Sequence, residues 1–194
     1  MAGSGIDKRT VYRILAVGMI VVVLLWVMLA YNGIVGKDQN VNDQVSEIKN
    51  RYTTKVSILG ELLPQVLQYQ QFEQSTLSNI TKLRAQWSDA VANGSSTSQL
   101  IDISSQIDTN FVNVRATYEA YPTLFSGTLV ANYMGEIVNQ EESLSYSRSQ
   151  YNGAVRDYNT AIKSFPSNLL SGGFGFNERS YWGTELPDGQ VLNL

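Results

Sequence analysis

The sequence predicts an all-α chain: an N-terminal transmembrane helix, then an antiparallel bundle of four long helices, then an irregular C-terminal tail. Three observations predict it. Residues 14–35 form a run of 22 positions without a charge. Behind that run, apolar residues recur at alternating spacings of three and four through four segments, the pattern of helices that bury one stripe. The last 28 residues, 167–194, carry no such period.

Residues 1–13 form a short basic segment, and 14–35 the span. From Ile14 to Leu29 the run is almost wholly apolar. At 1.5 Å per residue the uncharged run covers about 33 Å, against about 30 Å of bilayer hydrocarbon. Tyr12 at one end, and Trp26 and Tyr31 toward the other, suit the two interfaces. A cleaved signal peptide is the rival reading. Met28-Leu29-Ala30 is a poor cleavage site, and the run is longer than the apolar part of a signal peptide, about 7–15 residues. Lys8, Arg9 and Arg13 precede the run, whereas only Lys37, beside Asp38, closely follows it. The bias of basic residues to the cytoplasmic side therefore expects a single-pass protein with its N-terminus inside and its bulk extracytoplasmic.

Residues 36–166 read as the bundle, with helices over about 38–60, 64–92, 98–120 and 123–165. The first series is Val41, Val45, Ile48, Tyr52, Lys55, Leu59, Leu62, with a turn expected at Gly60 to Pro64. The second runs from Val66 through Glu73, Leu77, Ile80, Arg84 and Trp87 to Val91, and stops at Asn93-Gly94. Ser98, with Asp102 nearby, suits the start of the third, whose stripe is Leu100, Ile103, Ile107, Phe111, Val114, Tyr118. Pro122 disfavours helix at Tyr121. The fourth series, from Val130 to Phe165, holds its alternation over 36 residues until Pro166, which implies a long seam against partner helices. In the tail, the glycines of 172–175 lack the strand and helix that a phosphate-binding loop requires, so a turn or an aromatic clasp is expected there.

Composition excludes several function classes. The first 35 residues balance to +2, and the rest hold 11 basic against 16 acidic residues, so the domain of net −5 has no electrostatic attraction to nucleic acid. The chain has no cysteine and no histidine. That removes disulfides, Ser-His and Cys-His catalysis, and the usual zinc and di-iron ligand sets. No catalytic residue, cofactor or metal ligand is therefore assigned. Asn79-Ile80-Thr81 and Asn93-Gly94-Ser95 match the glycosylation pattern, which arises often by chance.

The polar residues that occupy helix seams are the candidates for a site. Glu73 and Arg84 stand on the second series, Glu141 and Arg148 on the fourth, and Glu119 near the end of the third. A buried charge without a partner costs several kcal/mol, so these groups are expected to pair across the bundle and fix helix register. Tyr121-Pro122, Tyr151-Asn152 and Tyr158-Asn159 could form a recognition surface. Such side chains more often hydrogen-bond to neighbouring backbone.

Several short motifs, taken in chain order, point to a known group. They are Tyr31-Asn32, Leu63-Pro64, Arg84-Ala85, Glu119-Ala120-Tyr121-Pro122, Arg148-Ser149-Gln150-Tyr151-Asn152, Tyr158-Asn159, Phe165-Pro166-Ser167-Asn168 and Phe174-Gly175-Phe176. With the apolar anchor before them, they resemble the LemA family from about residue 12 to Trp182. The resemblance implies a membrane-anchored antiparallel helical bundle of a prokaryotic envelope, from a family not known for enzymes. It also implies a tie to membrane organisation through magnetosome-associated relatives. A short extracytoplasmic N-terminus is described for the family, the opposite of the charge count. The family's Arg and Asp before its Leu-Ile-Pro are replaced here by Gly60-Glu61-Leu62. The expected function is self-assembly or scaffolding, with the lipid bilayer and further copies of the chain as partners. The alternative is an adaptor that binds another envelope protein through its bundle or tail.

Overall fold

The computed structural model describes residues 7–66, 74–120 and 128–183. Helix α1 spans Lys8–Val66, α2 Gln74–Ala92, α3 Thr97–Ala120, α4 Thr128–Lys163 and α5 Asn168–Phe174. Among the described residues there is no strand. The all-α reading holds.

The chain divides into two compact units. One comprises Met1–Asn40 and Arg156–Arg179; the other comprises Val41–Val155 and Ser180–Leu194. Helices α1 and α4 each contribute residues to both.

The larger unit is a four-helix bundle, and its contacts give the direction of each helix. Along α1, Tyr52, Lys55 and Glu61 meet Arg148, Glu141 and Tyr133 of α4 in descending order, so these two helices are antiparallel. Tyr52 and Lys55 meet Ser104, Asp108 and Phe111 of α3 in ascending order, so α3 runs with α1. Thr53 and Gly60 face Trp87 and Arg84 of α2, which returns antiparallel. The periodic stripes make the core: Val45, Ile48 and Leu59 from α1, Leu83 and Trp87 from α2, Ile107 and Phe111 from α3, Ile137 and Leu144 from α4. Their burial is the main stabilising term, at about 1.5–3 kcal/mol for each large side chain.

Three boundaries differ from the sequence expectation. Helix α1 does not stop at Gly60 but runs through Pro64 to Val66. Proline deletes one backbone hydrogen bond, and the buried stripe at Leu59 and Leu62 continues across the expected turn. Gly60, without a side chain, makes room for the Arg84 guanidinium. Helix α3 is capped by Ser96, not Ser98. The Gln99 amide N–H donates to Ser96 Oγ at 3.3 Å, and the Ser96 N–H donates to Gln99 Oε1 at 3.0 Å, a reciprocal capping box. Just before it, Gly94 takes the left-handed conformation, φ 64°, as α2 ends. Third, the tail expected to be irregular begins with α5. That helix has seven residues, too few to display a period, and it ends at Gly175 with φ 77°.

The smaller unit has two features. Apolar side chains on α1, from Val11 to Leu29, are largely exposed, and only below them does Ile34 become buried. Near that point Tyr31 packs against the rings of Phe174 and Phe176, at centroid distances of 5.1 and 5.6 Å. Arg179 joins Asp38 at 2.8 Å.

A buried charge cluster and an aromatic latch

At the centre of the larger unit, Lys55 is fully buried, with 0 % of its surface exposed. It reaches that position because it replaces an apolar residue in the α1 stripe. Its Nζ donates to Asp108 Oδ1 at 2.7 Å and to Glu141 Oε1. It also lies 4.7 Å from the centre of the Phe111 ring, a favourable place for a cation. Arg148 donates through Nη2 to Asp108 Oδ2 and to the Tyr52 hydroxyl, while that hydroxyl donates to Asp108 Oδ2 at 2.7 Å. Two cations and two carboxylates from three helices thus close a neutral set. The Arg148 Nε has no partner among the described residues.

The electrostatics follow from burial and neighbours. Burial, and then the Asp108 anion, push the Tyr52 phenol far above its ordinary value near 10. For Arg148, burial opposes the charge, but Tyr52 and Asp108 outweigh it and raise its value. Tyr52 therefore stays a neutral hydroxyl that both gives and takes a hydrogen bond. Because the folded chain keeps this proton when the unfolded chain has lost it, stability is full below the unfolded value near 10. It then declines as pH rises above that value. Tyr158 is shifted the same way, by burial and then by Asp38. At Tyr52 this gives a slope of up to about 1.4 kcal/mol per pH unit above pH 10. Urea unfolding between pH 9 and 11.5 should show this decline, and Tyr52→Phe should flatten it. An unchanged slope in the variant would remove Tyr52 as its source.

An aromatic latch lies beside the cluster. The Tyr52 ring meets Trp87 at 5.0 Å and Trp182 at 6.2 Å, and Trp182 stands edge-on to Tyr151 at 5.5 Å. The Trp182 Nε1 donates to Ser104 Oγ at 3.1 Å, and Trp87 Nε1 donates to Thr53 Oγ1 at 3.0 Å. Asn152 grips the backbone of Trp182 both ways, accepting from its N–H at 2.8 Å and donating to its carbonyl at 3.2 Å. Tyr151 donates to the Ser180 carbonyl at 2.7 Å. Seven residues further along α4, within the smaller unit, Asn159 makes the same two-way contact with Arg179, each bond at 2.9 Å. Tyr151, Asn152 and Asn159 of α4 thus hold the backbone of the segment after α5.

The structure brings together Glu141 and Arg148 of the candidate set, through Asp108 and Lys55. Glu119 lies apart from them, exposed and paired with Arg115 one turn earlier on the same helix at 2.8 Å. Arg84 is exposed on α2 over Gly60, also outside the cluster. Phe165 falls beyond the end of α4 and is exposed, so the apolar series closes at Ile162, while Pro166 lies in the turn ahead of α5. Glu73, Tyr121 and Pro122 lie outside the described residues. Lys55 and Asp108 are the members that sequence reasoning missed. For Lys55 the signal was present, a lysine in an apolar heptad position. Asp108 follows Ile107 just off the stripe, where an acid looks like a solvated residue. Among the described residues, no group of three potential ligands converges as a metal site would require. Asp108 and Glu141 instead face a lysine ammonium.

A four-helix bundle whose first helix continues from a long apolar stretch, with charges neutralised inside its core, defines the class: a helical-bundle protein with an N-terminal segment long and apolar enough to cross a membrane. The chain belongs to the LemA family, whose sequence pattern matches residues 44–191. It is similar to Protein LemA of Metamycoplasma hominis, at 26% identity over 136 residues, 70% of this chain and 61% of that protein. It is also similar to Magnetosome proteins MamQ 2 and MamQ 1 of Paramagnetospirillum magneticum, each 23% identical over 200 aligned residues, covering 92% of this chain and 73% of each relative. The chain thus matches just over three fifths of the length of the LemA relative.

Proposed function

We propose that this chain is a membrane-anchored protein that works by assembly rather than catalysis, associating with copies of itself or scaffolding other components of a prokaryotic envelope. The observation that carries this reading is the contrast along α1. Apolar side chains between Val11 and Leu29 stand exposed, whereas those from Val41 onward are packed inside the bundle. An exposed apolar stretch of that length requires a hydrocarbon solvent. The LemA membership and the magnetosome proteins among its relatives support a place at a membrane. The cluster supports a non-catalytic role, since each of its carboxylates, Asp108 and Glu141, is paired with a cation and neither stands free to act on a substrate. Lys8, Arg9 and Arg13 favour a cytoplasmic N-terminus.

Anchoring confines copies to two dimensions and raises their effective concentration, so weak lateral contacts suffice for assembly. Native mass analysis of the detergent-extracted protein is expected to show discrete oligomers, and a strict monomer at high concentration would remove self-assembly. Alkaline carbonate should leave the protein with the membranes; its release into the wash would remove the anchor. A second reading, an adaptor for another envelope protein, is favoured by an open groove of about 590 Å³ in the larger unit, lined by Val56, Arg84, Trp87 and Val91. Pull-down from envelope extracts with the groove variant Val91→Arg separates the two: loss of a captured partner with the oligomers unchanged supports the adaptor, and unchanged capture removes the groove as its site.

A further inference from the structure

We infer that α5 and its flanking aromatics form a membrane-surface foot that lies in the headgroup–acyl boundary beside the span. The inference rests on the anchored reading and adds a second, non-spanning contact with the bilayer.

The segment is built for that boundary. From Ser164 to Asn177 it carries no charge over 14 residues, yet it holds Phe165, Leu169, Leu170, Phe174 and Phe176. Lys163 and Glu178 bracket it and pair with each other at 2.8 Å. Leu170 and Phe176 are half-buried, but the other three find no core: Phe165 is 81%, Leu169 67% and Phe174 53% exposed. Gly172 and Gly173 have nothing within 4 Å where their side chains would be, so that part of α5 is open. In the larger unit the exposed large apolar residues among those described, Val112, Leu129, Val138, Tyr146 and Tyr181, stand eight or more residues apart, with no three inside ten residues, the ordinary condition of a soluble surface. Three within ten residues are a patch that needs an occupant.

Position identifies the occupant. Phe174 and Phe176 stack on Tyr31, and Tyr31 stands at the end of the exposed apolar run of α1. If that run fills the hydrocarbon, Tyr31 lies at the level where aromatic rings collect, and its contacts place α5 at the same depth. Rings and leucines that border a span, with the charges set just outside, match the chemistry of an interfacial segment. The foot is continuous with the surface of the span, which favours lipid over a protein partner.

The chain has no cysteine, so single-cysteine variants carry one spin label each. Leu24→Cys reports the span, Leu169→Cys and Phe174→Cys report the foot, and Val112→Cys reports the exposed bundle surface. The full chain is placed in vesicles of phosphatidylethanolamine and phosphatidylglycerol, and label collisions with oxygen and with a water-soluble nickel chelate are compared. The expected order of the oxygen-to-nickel ratio is Leu24 highest, Leu169 and Phe174 intermediate and several-fold above Val112. A deep Leu24 with Leu169 at the Val112 level overturns the foot and leaves the anchor standing. A Leu24 label at the Val112 level removes both. A Leu169 label shielded from both reagents points to a protein partner or a second copy, and overturns the lipid assignment. Leu169 alone decides the outcome if the Phe174 variant disturbs the ring contact.

Discussion

Replacing Lys55 by alanine is expected to lower the stability of the bundle by about 3–5 kcal/mol, the range for removing one partner of a buried ion pair. The reason is what stays behind. Asp108 would keep Arg148, but Glu141 would lose its cation, and both carboxylates would face the cavity left by a fully buried side chain. The midpoint of thermal unfolding in detergent, followed by circular dichroism, should fall by roughly 10 °C. The pair can be isolated by a double-mutant cycle. Lys55→Met and Glu141→Gln should each destabilise, and together they should cost less than their sum by more than about 1 kcal/mol, since the neutral pair removes the stranded charge. Arg148→Ala should act in the same direction as the single lysine change, because Tyr52 and Asp108 then lose a shared donor. If Lys55→Ala shifts the midpoint by only a degree or two, the cluster does not contribute to stability as its geometry requires.

The second large effect is expected at Trp182. Its buried ring touches Tyr52 and Tyr151, its indole nitrogen donates to Ser104, and its backbone is held at both ends by Asn152. Trp182→Ala should cost about 3–5 kcal/mol, as aromatic-to-alanine changes in cores do. It should also free residues 180–183 for proteolysis. Trp182→Phe keeps much of the packing and loses one hydrogen bond, so a loss of about 1–2 kcal/mol is expected. The neighbour is the internal control. Tyr181 is exposed, and Tyr181→Ala should stay within about 0.5 kcal/mol. Equal effects at the two positions would mean that the latch is not the source of the stability.

These two residues show how far the sequence reaches. Helical periodicity located the stripes, and Lys55, Glu141 and Arg148 all stood on them. A stripe position says that a side chain points inward; it does not say which charge it will meet. Lys55 and Glu141 are 86 residues apart, and their meeting depends on the antiparallel register of α1 and α4. Asp108 gave no local signal, because its place one residue off the stripe becomes central only when α1 and α4 converge on α3. Trp182 lay in a segment without a period, where no rule of spacing applies, and its burial comes from a cavity that other helices build. The same limit explains α1. Gly60 and Pro64 are local breakers, yet the helix runs through both, with Leu59 and Leu62 buried beside Gly60.

By itself the sequence determined the all-helical class, the family, the uncharged N-terminal run, and the exclusion of histidine and cysteine chemistry. Each of these is a property of composition or of short-range order, and such properties survive without knowledge of the fold. Only the tertiary structure decided that Glu141 and Arg148 gather around Lys55 and Asp108, that Tyr151, Asn152 and Asn159 hold the returning backbone, and that Phe174 and Phe176 gather on Tyr31. Those outcomes join residues far apart in the chain. Their energies come from burial and from partners, and neither exists until the helices have packed.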